Sequence, residues 1–289
     1  MLAAEPLVEK SFELWPGVLR LAATGEGRHA ALDAGLDATR ELAATLNADA
    51  ELIAGMGAAG SFDMLPRGAA GRLVPEAVRA LMQGAVTSDD APPPLVALPG
   101  AVCDVVLAAM REAGACEALV VSLGDAVAFR VEGGTASPAL TSLSPVVSEF
   151  MRALGVGQGG GIALAGVHAR FPTSGAADRV MVHAPGAALA ALSAAFIADG
   201  TAAPCAPRTG RLADPFITRA FAGRRLTGDV GLLPPEAIWD ALSGGMKRAS
   251  ALRHRRLLRA CVAALKGRGR TIGPIDGDRL LRVGVSEWR

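Results

Sequence analysis

Tyrosine is absent from this chain of 289 residues, and eight Phe and three Trp are all the aromatics it has. A protein that stacks successive bases on an aromatic platform, as many single-strand nucleic-acid binders do, has almost no raw material here. Cysteine is also scarce. Cys103, Cys116, Cys205 and Cys261 stand far apart, without the short pairs that a zinc site or a disulfide framework needs. They read as free thiols in a reducing compartment. Net charge is nearly absent too, with 29 Lys and Arg against 28 Asp and Glu, so a polyelectrolyte tail or wholly disordered chain is excluded. At the N-terminus Glu5, Glu9 and Lys10 interrupt the apolar run a signal peptide requires, and a cytoplasmic location is the expectation.

Apolar residues are abundant, at 51% of the chain, enough for a sizeable core of Ala, Leu and Val. The longest uncharged stretch, Val180 to Ala198, contains His183, Pro185 and Gly186. Its helical remainder spans only about 20 Å against a hydrocarbon core of about 30 Å. A strand, VMVHA, leading into a buried Ala/Leu helix describes it better than a membrane span.

Hydrophobic periodicity predicts a helix over 27–54, with Leu32, Leu36, Leu42 and Leu46 on one face, and another over 75–86 opening at Pro75. A proline-rich loop with Pro92, Pro93 and Pro94 delivers a helix over 101–113, and 118–122 and 126–131 read as a hairpin turning at Gly124-Asp125. A helix over 144–154 ends in GVGQGGG, followed by the strands GIALAGV and DRVMVHA. The last third reads as mostly helical from Pro235 to Gly267, with a strand in LLRVGV near the end. Central strands flanked by helices without strict alternation predict an α+β fold with a mixed or antiparallel sheet, a single domain over 1–289. Its expected parts are a helical N-terminal part to about residue 90, a core over about 100–265 and a basic tail over 266–289.

Two matches to G-x-G-x-x-G occur, at Gly55, Gly57, Gly60 and at Gly155, Gly157, Gly160. With 35 glycines, roughly half a match is expected by chance, and neither has the strand before and helix after that a dinucleotide site requires. A helix end followed by a glycine loop is the preferred account. No G-x-S-x-G, S-x-x-K or H-E-x-x-H is present. Asp89-Asp90, before the prolines, reads as a solvated turn. Of His29, His168, His183 and His254, His168 is the candidate acid/base, because it lies with Arg170 between two expected strands, where a ligand loop would sit.

Charge is unevenly spread. From Asp240 onward 12 basic residues face 4 acids, so a segment of +8 is balanced by a body of −7. On one helix, Arg248, Arg255, Arg259 and Lys266 would fall within about 40° of one line, a stripe able to meet a polyanion or another subunit.

The run GIALAGVHARFPTSGAADRVMVHAPGAALAALSAAFIADGTA, with LTGDVGLLPPEAIWDALSGGMKRASAL after it, resembles the ApbE-like superfamily, in its uncharacterised cytoplasmic branch. Ser122-Leu123-Gly124-Asp125 stands at the family's early G-G-D-type turn. Gly161-Ile162-Ala163 and Gly166 match its G-I-A-T-S-G segment, and Gly175, Ala177 and Asp178 its G-x-A-D strand start. The resemblance implies a cleft for a flavin (FAD or FMN) or another small phosphorylated ligand, formed by Gly124, Asp125, Gly161, Gly166, Thr173, Ser174, Gly175 and Asp178. Where the family holds magnesium with an Asp and a Thr four residues later, this chain has Ala191 and Ala195, so metal-dependent flavin transfer and a metal site are not expected. Two further readings stand beside a binding protein: an enzyme of folate-like one-carbon cofactor biosynthesis using His168 and Arg170, and a scaffold or polyanion binder acting through the Arg stripe. Neither a membrane nor a nucleic-acid partner is expected, and homo-oligomerisation is left open.

Overall fold

A computed structural model describes residues 7–56, 65–83, 87, 89–132, 143–154, 159–208 and 212–275, the side chain of Val146 apart. The chain opens with a hairpin, β1 (Val8–Leu14) and β2 (Gly17–Thr24), then runs through helices α1 (Arg28–Ala54) and α2 (Ala69–Gln83). A single 3-10 turn (Pro94–Ala97) leads into α3 (Leu98–Ala113), followed by β3 (Ala118–Leu123), β4 (Ala126–Val131), α4 (Pro145–Leu154), β5 (Gly160–Ala165), β6 (Arg179–Ala184) and α5 (Ala187–Asp199). A small ribbon of β7 (Ala206–Pro207) and β8 (Thr227–Asp229) encloses α6 (Pro215–Ala220). Then α7 (Pro235–His254), β9 (Ala260–Leu265) and β10 (Arg268–Ile272) complete the described chain.

Eight strands form one sheet in the order β1-β2-β3-β4-β5-β6-β9-β10, every neighbour antiparallel. This is the expected α+β architecture. Side chains alternate across it. Leu19, Leu21, Leu119, Val121, Ala163, Val180, Val182 and Cys261 face a thick layer of α1, α2, α3, α5 and α7. The opposite face carries Val120, Val127, Phe129, Ile162, Met181 and Val262 and is packed by residues of α4. Among the described residues the two faces are therefore unequally covered, and the site lies beside the single ten-residue helix on the second face.

Several expectations need correction. Within the part expected to be helical, Val8–Leu14 and Gly17–Thr24 form the strands β1 and β2. Pro75 is not the first helical residue but sits inside α2, which begins six residues earlier at Ala69. The helix expected to run to Gly267 ends at His254, and Ala260 to Leu265 is the strand β9. The helical stripe of Arg248, Arg255, Arg259 and Lys266 is thereby dissolved. Arg248 lies 4.4 Å over the Phe196 ring and pairs with Asp90 at 2.8 Å, Arg255 donates to the Gln83 carbonyl, and Arg259 donates to the Gly159 carbonyl. Lys266 stands in the β9–β10 turn. The LLRVGV strand and the second and third glycines of the first G-x-G-x-x-G match lie outside the described residues, as do the first two of the other.

Pro94 to Ala113 is long and apolar enough to cross a membrane by length and composition. Here two thirds of it is buried, and Val102, Cys103, Val106 and Met110 have no exposed surface.

Candidate anion-binding cavity

The β3–β4 hairpin turns through Gly124 and Asp125, with Leu123 paired to Ala126. Gly124 has φ +59°, a value that the first central residue of a primed two-residue turn adopts and that glycine meets without strain. The turn places Asp125 beside the loop that follows β5. There the Arg170 backbone N–H donates to Asp125 Oδ2 at 2.6 Å, and the Asp125 carbonyl accepts from the Leu164 N–H at 2.9 Å. The Arg170 side chain then lies back across two turns. A Cβ built on Gly17 would sit 3.3 Å from its Nη2, and one built on Gly124 3.5 Å from its Nε.

Between this loop, the ends of β2 to β6 and the start of α4 is a cavity of about 420 Å³, within the size range of small-molecule sites. Its wall is partly apolar: Val18, Val127, Leu143, Val147, Leu164 and Ala165. Val18 is 45% exposed. The polar part is cationic. Arg20 from β2, Arg170 from the loop and Arg179 from β6 all line it, and His168 joins them. None of the three guanidinium groups forms an ion pair among the described residues.

Ser122 and Ser144 add hydroxyls to the lining. Ser144 precedes α4, and its Oγ accepts the Val147 N–H at 3.4 Å while its carbonyl accepts the Ser148 N–H at 2.9 Å. The N-terminal end of α4 thus borders the cavity, adding the partial positive charge of a helix start to three guanidiniums. Among the described residues Asp125 is the only carboxylate in the lining. Burial pushes its pKa upward, against the Arg170 N–H and the nearby charges of Arg170 and Arg179.

The structure brings Gly124, Asp125, His168 and Arg170 together around this cavity. The other residues singled out from the sequence stand elsewhere and hold the loop. Thr173 Oγ1 donates to Asp199 Oδ1 at 2.6 Å, and the Ser174 N–H reaches the same oxygen at 2.9 Å. Gly175 donates to Thr173 Oγ1 and packs so closely on the end of α5 that a Cβ would overlap the Ala198 carbonyl. Asp178 accepts the Lys266 N–H at 2.6 Å. Gly166, at φ +127°, begins the loop, and Gly161 lies flat against the start of α5. The start of α5 is itself closed to ligands, because the Asp104 carboxylate from α3 accepts the N–H groups of Ala187 and Ala188 at 2.8 and 3.0 Å.

Arg20, Arg179 and Ser144 are the site residues that reading the sequence overlooked. Arg20 went unseen because its strand was not recognised. Arg179 was in view at the start of DRVMVHA, and Ser144 carried a visible signal as a cap before an apolar helix.

A second, smaller cavity of about 20 Å³ lies beneath Phe171, Pro172 and Thr173 and shares Asp125, Leu164 and Ala165 with the first. Ala191 and Ala195 form part of its wall. Among the described residues no group of three or more His, Cys, Asp or Glu is placed to hold a metal ion.

In comparison with known proteins, a family model described as AbpE bacteria matches residues 15–271. No curated protein matches the chain.

Proposed function

The chain belongs to the AbpE bacteria family, and from that premise we propose that it binds a small phosphorylated molecule in the 420 Å³ cavity without using a metal ion. The observation that carries this reading is the convergence of Arg20, Arg170 and Arg179, unpaired among the described residues, on a space that also has an apolar wall. Guanidinium groups present paired N–H donors that match phosphate oxygens. Three of them against one carboxylate leave a positive surplus that an anion of two or more charges would neutralise. The apolar wall of Val18, Leu143, Val147 and Leu164 suits the carbon framework of such a ligand.

Flavin mononucleotide is one ligand of this class, and the resemblance of the 100–265 segment to ApbE-like proteins supports trying it first. The magnesium site that this resemblance implies does not fit the residues present. Ala191 and Ala195 offer no oxygen, and the Thr173 hydroxyl is already donated to Asp199. A hard dication seeks about six oxygen ligands. These side chains therefore support no step of flavin transfer. An acid/base role for His168 is the weaker reading, because no hydrogen bond among the described residues orients its ring.

Calorimetric titration with FMN, FAD and inorganic pyrophosphate, each with and without magnesium, tests the proposal. Binding of at least one of them that is independent of magnesium and weakened at least about tenfold by Arg20→Ala or Arg170→Ala is expected. Absence of binding by all three at high micromolar concentration, or binding indifferent to both substitutions, would overturn it.

A further inference from the structure

The far edge of the sheet carries a second feature, independent of the anion cavity. Strand β10 ends the strand order, so among the described residues one side of its backbone has no partner strand. Beside it, α7 and β10 form an open trough of about 910 Å³ lined by Trp239, Ser243, Met246, Lys247, Arg270 and Ile272, with Ser250 and Thr271 completing it. The register sets Arg268, Arg270 and Ile272 opposite Leu265, Ala263 and Cys261, so these three face α7. Trp239 is 37% exposed, and the Arg270 guanidinium lies 5.2 Å from its ring centre. Lys247, Arg268 and Arg270 are exposed and form no ion pair among the described residues.

Positive charge on an edge strand is a common guard against sheet-to-sheet association. That accounts for Arg268 and Arg270 but leaves unexplained an exposed tryptophan at the mouth of an apolar trough. Tryptophan and arginine together are what the energetic centres of interfaces are enriched in.

We infer that the trough is a docking site for an extended acidic segment of another protein, which adds to β10 as a further strand. The β10 edge that has no partner strand among the described residues supplies main-chain hydrogen bonds, and every second side chain of the added strand enters the trough. Apolar residues in that series meet Trp239, Met246 and Ile272, and acidic ones meet Lys247, Arg268 and Arg270. A second copy of this chain is a poor occupant. Antiparallel pairing of two β10 strands about Gly269 or Arg270 sets an arginine of one copy against an arginine of the other. Joining β10 to the opposite edge, β1, with the helical layers on one side, brings Lys10 to the side of Arg270. Glu9 and Glu13 then fall on the other face, because they sit opposite Ala22 and Val18 while Lys10 sits opposite Leu21.

The test is fluorescence anisotropy on the full chain with a labelled peptide of about nine residues, Glu-Thr-Leu-Thr-Glu-Thr-Leu-Thr-Glu. Its Glu and Leu share one face when extended. A peptide with Lys in place of every Glu serves as control. Saturable binding of the acidic peptide is expected, weakened at least about tenfold by Trp239→Ala and by Arg270→Glu and unchanged by Arg20→Ala. Both substituted positions are at the surface, and unchanged far-ultraviolet circular dichroism verifies the fold of each variant. The inference is overturned by equal binding of the two peptides, by no binding of either, or by wild-type affinity in both trough variants. Loss of binding in Arg20→Ala would assign the peptide to the anion cavity and equally overturn it. So would self-association in sedimentation that Trp239→Ala abolishes, which would make a second copy the occupant.

Discussion

The Asp125 carboxylate accepts the backbone N–H of Arg170 at 2.6 Å, joining two residues 45 positions apart. One carboxylate thus does two opposed things. It holds the loop that carries His168 and Arg170 in place, and it puts a negative charge in a cavity whose other charged lining residues, among those described, are the cations Arg20, Arg170 and Arg179. The two effects pull anion affinity in opposite directions, so substitution separates them.

Asp125→Asn retains an acceptor oxygen for the Arg170 N–H and removes the charge. It is expected to bind a phosphorylated ligand at least as tightly as the wild type. Asp125→Ala removes charge and acceptor together, freeing the loop, and is expected to bind several-fold more weakly. Titration calorimetry with whichever of FMN, FAD or pyrophosphate the wild type binds checks the order. Tighter binding in Asp125→Ala than in Asp125→Asn would show that the hydrogen bond does not position the loop.

Acid should destabilise the fold through His183. This imidazole is 2% exposed, its Nε2 has no hydrogen-bond partner among the described residues, and Phe129 lies beside it. Burial, with the charge of Arg259, pushes its pKa down to about 4. The unfolded chain takes up this proton near pH 6.5 and the native state only near 4, so stability is complete above that range and falls as pH drops through it. The slope reaches up to about 1.4 kcal/mol per pH unit. Asp104 and Asp125, whose pKa values burial raises, run the other way and lose stability as pH rises above the ordinary Asp range. Urea unfolding of wild type and His183→Leu between pH 7 and 4 isolates the imidazole. Parallel profiles would rule out its role.

Asp104 caps a helix from a distance. Residue Gly186, which precedes α5, has no side chain to offer, and the two acceptors come from α3. Asp104→Ala leaves the Ala187 and Ala188 N–H groups without them in a partly buried place and should cost about 2 kcal/mol. Asp104→Asn, which keeps one acceptor, should cost less. Chemical denaturation midpoints measure both.

Gly161→Ala should be among the most damaging single methyl additions in the chain. A Cβ there would overlap the backbone of Ala187 at the start of α5, which no side-chain rearrangement relieves. A loss above about 3 kcal/mol, or failure to fold, is expected by thermal unfolding. A change below about 1 kcal/mol would mean that β5 and α5 can move apart.

The Gly124-Asp125 hairpin was legible in the sequence because alternating apolar residues flank a turn that only a few residue types favour. The β5, β6 and α5 segments were legible for the same local reasons. Strand β9 was not. ACVAAL is buried at every position, so it lacks the period of two that marks a half-buried strand, and its small apolar residues suit a helix equally well. What ends α7 is Arg256 at φ +61°, a left-handed conformation that arginine seldom adopts and that no local pattern announces. The opening hairpin escaped for the opposite reason: β1 alternates polar with partly buried residues at an edge, and its apolar side is thin. Arg20 stands far along the chain from Arg170 and Arg179, which are close in sequence, and only the antiparallel order of β2 to β6 brings it to them.

Among the described residues one face of the sheet rests under five helices, the other under α4. A ligand seated at the start of α4 would lend it stability in proportion to occupancy, as any ligand selective for the native state does. Amide exchange along residues 147–154 would then slow as the cavity fills. That makes a ten-residue helix the protein's own indicator of whether something is bound, readable before anyone knows what the ligand becomes.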